Sequence, residues 1–233
     1  MSTQVSIPRR FNGPLGSGNG GYCSGVFAAL VDGHAAVNLR RPIPLDCQLD
    51  VVSRDGEARV TNGEELIAEV QPCPPPAIDV PDPVDPERAR AATSRYRGAE
   101  DGVFSECFVC GLAREDSLGV FAGPVEGREL VASPWQPPEW TGGEDDAVRP
   151  ELVWAVLDCP TVFAAFLGSD EYPLAYLVRM NAELRAPVPV DGEYVAVAWP
   201  AWCDGRKHRA GSALFSVDGE LLAVADALMI EPA

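Results

Sequence analysis

The chain has 233 residues, 46% of them hydrophobic but only 8% aromatic, enough for one large domain or two small ones around a substantial core. Its formal charge of -17 opposes the fields that nucleic acid or an anionic membrane surface would need, so neither is expected as a partner. No window is apolar enough for a membrane span, the start MSTQVSIPRR has no apolar run, and seven cysteines are an odd count, so the reading is a cytoplasmic protein with reduced thiols.

In chain order, SIPRRFNGPLG predicts a short opening strand, followed by the turn Gly18-Asn19-Gly20-Gly21. The stretch Val26-Phe27-Ala28-Ala29-Leu30 is apolar nearly all round and predicts a helix buried on several sides, near residues 21–31. Alternating runs then predict strands at 36–40, 49–54, 58–61 and 66–71, joined by hairpins at Asp55-Gly56 and Asn62-Gly63. Pro42 and Pro44, which cannot donate to a ladder, predict a bulged or edge position. Residues 71–87 are too proline-dense for helix or central strand and predict a linker. Beyond it, residues 118–124 and 128–135 predict a hairpin turning at 123–127, and the acidic, Pro- and Gly-broken stretch 136–150 predicts a surface loop. A second helix is predicted near 159–167, then strands at 174–185, 193–199, 210–217 and 221–230, with Asp218-Gly219 as a hairpin turn. Pro187 and Pro189 repeat the bulged or edge signal.

The chain also resembles itself. Leu39-Arg40-Arg41-Pro42-Ile43-Pro44-Leu45-Asp46 matches Leu184-Arg185-Ala186-Pro187-Val188-Pro189-Val190-Asp191 at an offset of 145 residues. Upstream, the segment 23–30 matches 159–166 at an offset of 136, and downstream Leu66-Ile67-Ala68 matches Leu221-Leu222-Ala223. Three matches in the same order point to an internal duplication rather than to convergent patterning of Ala- and Val-rich segments. Each copy is one helix followed by an antiparallel meander. The implied units are 1–71 and 104–233, with a proline-rich linker at 72–103.

The segments GNGGYCSGVFAAL and PELVWAVLDCPTVFAAF, with LRRPIPLD and GRKHRAGSALFSVDGELLA, resemble the thioesterase-like superfamily that includes acyl-CoA thioesterase II. The resemblance covers both copies but not the linker. It implies an α+β fold of the tandem (double) hotdog type, two central helices each wrapped by an antiparallel sheet. It also implies a tunnel between the copies that holds an acyl thioester, with acyl-CoA as substrate and no cofactor. In thioesterase II relatives an Asp just before the second central helix activates water, and Asp158 takes that place. Those relatives also use a Thr and a Gln on strands of the second copy. Here the final strand LLAVADALMI has no Gln and LAYLVRMNAEL has no Thr. A noncatalytic acyl-thioester binder or biosynthetic accessory protein is therefore the alternative, and a hotdog dehydratase the third reading. Two fused copies supply the two-fold interface that single units obtain by pairing, and a homodimer of the fused chain remains open.

Among single residues, Asp158 stands out because the matched position in the first copy is Tyr22. It reads either as a helix N-cap or as a base or nucleophile facing the thioester. Asn19, Gly20 and Gly21 at the mouth of the first helix read either as a plain turn or as donors to an oxyanion. Tyr22 and Trp154 are placed along the ligand. Arg206 and Lys207, in the dense basic run 206–209, read either as contacts to a coenzyme A phosphate or as a solvated hairpin loop. Cys107-Phe108-Val109-Cys110 is a lone CxxC with no second pair and no spaced histidines, so no metal is expected. His34 and His208, the two histidines, fall in a turn and a basic loop, and no Gly-x-Ser-x-Gly elbow exists for a serine hydrolase.

Overall fold

The computed structural model describes residues 2–98, 102–169 and 174–232. One continuous antiparallel sheet carries the fold. The first half contributes β1 (Ser2–Ser6), β2 (Ala35–Leu39), β3 (Gln48–Arg54), β4 (Glu57–Asn62) and β5 (Glu65–Pro72). The second contributes β6 (Gly123–Pro124), β7 (Val131–Trp135), β8 (Tyr176–Leu184), β9 (Tyr194–Asp204), β10 (Lys207–Ser216) and β11 (Leu221–Ile230). Among the described residues three α-helices, α1 (Gly20–Ala28), α2 (Pro86–Thr93) and α3 (Pro150–Ala165), pack on it. Spatial order is β1-β3-β4-β5-β2-β8-β11-β10-β9-β7-β6, so the halves meet at β2 and β8.

That seam carries the mark of the repeat. Shifting by the 145 residues that relate Leu39 to Leu184 sends Ala36 onto Asn181, and Ala36 pairs with Asn181 across the seam. A residue opposite its own counterpart in an antiparallel pair lies on a two-fold axis. Backbone bonds repeat as well: Gly18 N–H donates to Ile43 and Val148 N–H to Val188, while Arg40 N–H donates to Ile67 and Arg185 N–H to Leu222. The matches at 39–46 and 66–68 therefore mark equivalent places. The match of 23–30 with 159–166 does not. Around the helix mouths the common offset is 130, since Asn19 N–H donates to Phe11 as Arg149 N–H donates to Thr141. The second helix accordingly begins at Pro150, not near residue 159, and Pro160 lies inside it. Pro150 suits the first turn because its missing N–H would have had no partner there.

Strand positions agree with the alternation of the sequence, with local differences. The first strand is Ser2–Ser6, and residues 9–11 of the predicted opening strand form a 3-10 turn instead. Strand β9 continues past Trp199 because its pairing skips a residue between Pro200 and Trp202 opposite β10, a bulge that accommodates the proline. Pro42, Pro44 and Pro187 lie in the connections after β2 and β8 rather than within strands; Pro189 makes an isolated bridge with Ala147.

The proline-rich span is packed rather than free, and it contains α2; its residues 99–101 lie outside the described set. Ala89 and Ala92 are fully buried against the sheet face made by Leu130, Ala132, Val197 and Phe215, with Ile78 and Val80 beside them. Asp85 starts this helix by accepting the N–H groups of Glu87 at 2.8 Å and Arg88 at 3.3 Å. Asp85→Ala should cost about 1 kcal/mol, a fall of about 2–4 °C in thermal midpoint for a chain this size. Asp85→Asn should cost much less, which a pair of melting curves checks.

On the other face, α1 and α3 lie against each other. Leu152, Val153, Ala155, Val156 and Leu157 show no exposed surface, as an all-apolar helix buried on every side requires. Gly21 and Gly25 let the backbones touch: a Cβ at Gly25 would stand 2.6 Å from Glu151 Cα, and one at Gly21 2.7 Å from the Trp154 carbonyl oxygen.

Candidate active site

Between the halves lies a cavity of about 400 Å³, walled by the mouth of α1 and by Leu39 and Ile43 of the first half, and by α3 and the start of β8 of the second. The segment carrying Phe104, Cys107 and Cys110 closes another side. The walls are mainly apolar, which suits a hydrocarbon chain.

Asp158 stands in this wall from the middle of α3, only 5% exposed. It is not at a helix start, so it does not cap its own helix. Instead its Oδ2 accepts the Gly21 N–H of the opposite helix at 2.7 Å. Burial pushes its pKa up to about 7; the Gly21 bond opposes that rise and the nearby Cys107 adds to it.

The mouth of α1 is shared out among named acceptors. Asn19 is the N-cap, its Oδ1 taking the Tyr22 N–H at 2.9 Å, and Gly21 is taken by Asp158. Gly20 N–H has no protein acceptor among the described residues, and Gly20 lines the cavity. It is thus the residue of the predicted trio whose amide is available to an oxyanion. The Asn19 amide Nδ2 points elsewhere, toward Cys159 Sγ at 3.6 Å and Cys107 Sγ at 3.8 Å.

Tyr22 and Trp154 lie in the core and outside the cavity wall. The Tyr22 ring stacks on Phe11 at 4.0 Å and meets Phe108 edge-on. Gly205 and Arg206 form the β9–β10 turn and Lys207 opens β10. Arg206 donates to the Glu231 carbonyl, next to Ile230, a cavity residue. His208 is buried with Nε2 2.7 Å from Glu231 Oε1, and neither histidine lines the cavity.

A second groove sits at the place related by the pseudo-two-fold axis. Gly143, Val148, Arg149, Pro150, Leu184 and Val188 line it where Gly13, Gly18, Asn19, Gly20, Leu39 and Ile43 line the first. The chemistry is missing there. Pro150 has no N–H to offer, and the counterpart of Asp158 on α1 is Ala28. Of the two related grooves, one carries a carboxylate and a free amide. The sequence repeat hides this difference, because matching Cys23 with Cys159 sets the two helices six residues out of register.

No protein-family model and no curated protein matches the chain. Solved structures do. A tesB protein of Mycobacterium avium subspecies paratuberculosis aligns over 100% of this chain and 93% of its own, with a TM-score of 0.66 at 14% identity. A proposed thioesterase II of Thermobifida fusca aligns over 98% and 93%, with a TM-score of 0.62 at 15% identity. A thioesterase superfamily protein covers 67% of this chain and 70% of its own at a TM-score of 0.50 and 15% identity. At such identities the likeness is one of fold, and it is the thioesterase-superfamily fold expected from the motifs. Among the described residues no helix is long and apolar enough to cross a membrane.

Proposed function

We propose that the chain is two fused hotdog units sharing one acyl-thioester site, and that it hydrolyses acyl-CoA there. The observation that carries this reading is Asp158, a buried carboxylate in the wall of an apolar cavity, held against the mouth of the opposite helix. The thioester carbonyl would sit at Gly20, its oxygen taking the free N–H and the positive end of the α1 dipole. Asp158 would draw a proton from water as the water oxygen bonds to the carbonyl carbon. Collapse of the tetrahedral intermediate then breaks the carbon–sulfur bond, and the proton passes from Asp158 to the departing sulfur. Acyl-CoA is substrate rather than resident cofactor, Arg206 and Lys207 are the phosphate contacts we assign outside the cavity, and no second chain is needed to complete the site. Hydrolysis of a panel of acyl-CoA thioesters by the full chain tests the proposal.

A second reading, a noncatalytic acyl-thioester binder, is favoured by one feature. Thr161, the hydroxyl nearest in sequence to Asp158, is spent on the Asp158 carbonyl at 2.6 Å and on Met229 Sδ at 3.4 Å, leaving it no free hydrogen for a water. Saturable binding of acyl-CoA without release of free thiol across the panel would establish that reading instead.

Gly20→Ala separates the site from the scaffold. The added methyl would stand 2.9 Å from Leu177 Cδ2, which can turn away, 3.0 Å from Leu177 Cβ, which requires β8 to give by a few tenths of an ångström, and 3.3 Å from Asp158 Oδ2. The expected result is a fall in turnover of about 10- to 100-fold with little change in thermal midpoint, because displacement of a reacting group by about 1 Å costs on that order. Unchanged steady-state kinetics would move the carbonyl away from Gly20.

A further inference from the structure

The sequence offers Cys107 and Cys110 as an isolated pair, 49 residues before the next cysteine, Cys159. Folding removes that isolation. Cys159 is next to Asp158 on α3, and its sulfur is 3.8 Å from Cys107 Sγ. The three sulfurs lie within 4.8 Å of one another, all three residues are buried, and all line the candidate cavity. We propose that Cys107, Cys110 and Cys159 bind one zinc(II) ion as thiolates, leaving the fourth tetrahedral position open toward the cavity.

The geometry suits a metal. Two sulfurs each about 2.3 Å from a tetrahedral zinc stand about 3.8 Å apart, the separation found for Cys107 and Cys159. The two-residue spacing of Cys107 and Cys110 is that of a chelating turn, and the turn is closed by Gly111 N–H donating to the Cys107 carbonyl at 2.8 Å. Donors already face the sulfurs. Asn19 Nδ2 reaches both Cys107 and Cys159, as groups around metal-bound thiolates do. Three thiolates around one divalent ion carry a net single negative charge, and Asn19 is the N-cap of α1, so the positive end of that helix lies beside the cluster. Binding replaces three thiol protons by one ion and releases those protons to solvent. The ion would clamp the segment 104–111 to α3, a connection that the lone CxxC gave no reason to expect. The inference stands apart from thioester hydrolysis, since no substrate enters it.

Cobalt(II) added to the full, reduced, chelator-treated chain is the probe. The expected result is one equivalent bound per chain, with the charge-transfer and ligand-field absorption of a tetrahedral cobalt–thiolate centre, displaced by one equivalent of zinc. Cys159→Ser, which removes a direct ligand, should weaken cobalt binding by more than the roughly 10- to 100-fold that loss of a partner outside the ligand set costs, and Cys203→Ser, at an exposed cysteine outside the cluster, should leave it unchanged. If Cys159→Ser does not fold, native-state alkylation of the unaltered chain decides, with zinc protecting three thiols. Folded wild-type chain that binds no cobalt, an undiminished cobalt spectrum in folded Cys159→Ser, or a Cys107–Cys159 disulfide in chain purified with its thiols trapped would each overturn the proposal.

Discussion

Asp158→Asn is expected to lower thioester turnover by about 100-fold or more, the scale of a lost general base, while acyl-CoA still binds. The amide keeps the shape of the carboxylate, and its oxygen can still accept the Gly21 N–H that Asp158 Oδ2 accepts at 2.7 Å. It cannot take a proton from water. Stability should not fall with activity, because burial disfavours the ionised carboxylate and a neutral amide escapes that cost. Thermal midpoint and turnover measured on one preparation distinguish the roles. A variant that loses midpoint and turnover together would make Asp158 a clasp between α1 and α3; one that keeps both would remove it from the reaction.

Gly25→Ala is expected to destabilise the fold by about 1–3 kcal/mol, the cost of forcing a methyl into a full core, or roughly 2–12 °C in thermal midpoint for a chain of this length. The obstacle is backbone, Glu151 Cα at 2.6 Å, so no side-chain rotation relieves it. The helices must move apart, and the contact of Asp158 with Gly21 should loosen with them. Gly33→Ala is the control: a Cβ there meets nothing within 4 Å, and the remaining penalty comes from its φ of +80°. A Gly25→Ala midpoint no lower than that of the unaltered chain, read by differential scanning calorimetry, would show that α1 and α3 are not packed backbone to backbone.

Strand alternation, Asx-Gly turns and the two proline-bearing repeats made the sheet legible, because each is a local signal whose physical cause lies within a few residues. The pairing of Ala36 with Asn181 gives the 145-residue repeat a geometric meaning that the letters alone lacked. The helices were less legible. Both are apolar on all sides, so neither has a periodic stripe to fix its register, and the matching of Cys23 with Cys159 slid the second helix by six residues. That slip made Asp158 look like an N-cap. Asp158 does line the cavity, but the resemblance and the contrast with Tyr22 that singled it out carried nothing of its surroundings. Contacts far apart in sequence were not readable at all: the bond from Gly21 to Asp158, the gathering of Cys159 with Cys107 and Cys110, and the packing of Ala89 and Ala92 on the outer sheet face. Tyr22 and Trp154 were placed along the ligand because aromatic rings serve tunnel and core equally well, and here they fill the core.

The most direct test is a crystal structure of the full chain with a nonhydrolysable thioether analogue of acyl-CoA. The acyl chain should occupy the cavity between Leu39, Ile43 and Phe163, with the carbon that mimics the carbonyl beside Gly20 N–H and Asp158, and with the pseudo-symmetric groove at Arg149 and Pro150 empty. An analogue bound in that second groove, or bound with its reacting carbon away from Asp158, would contradict the account.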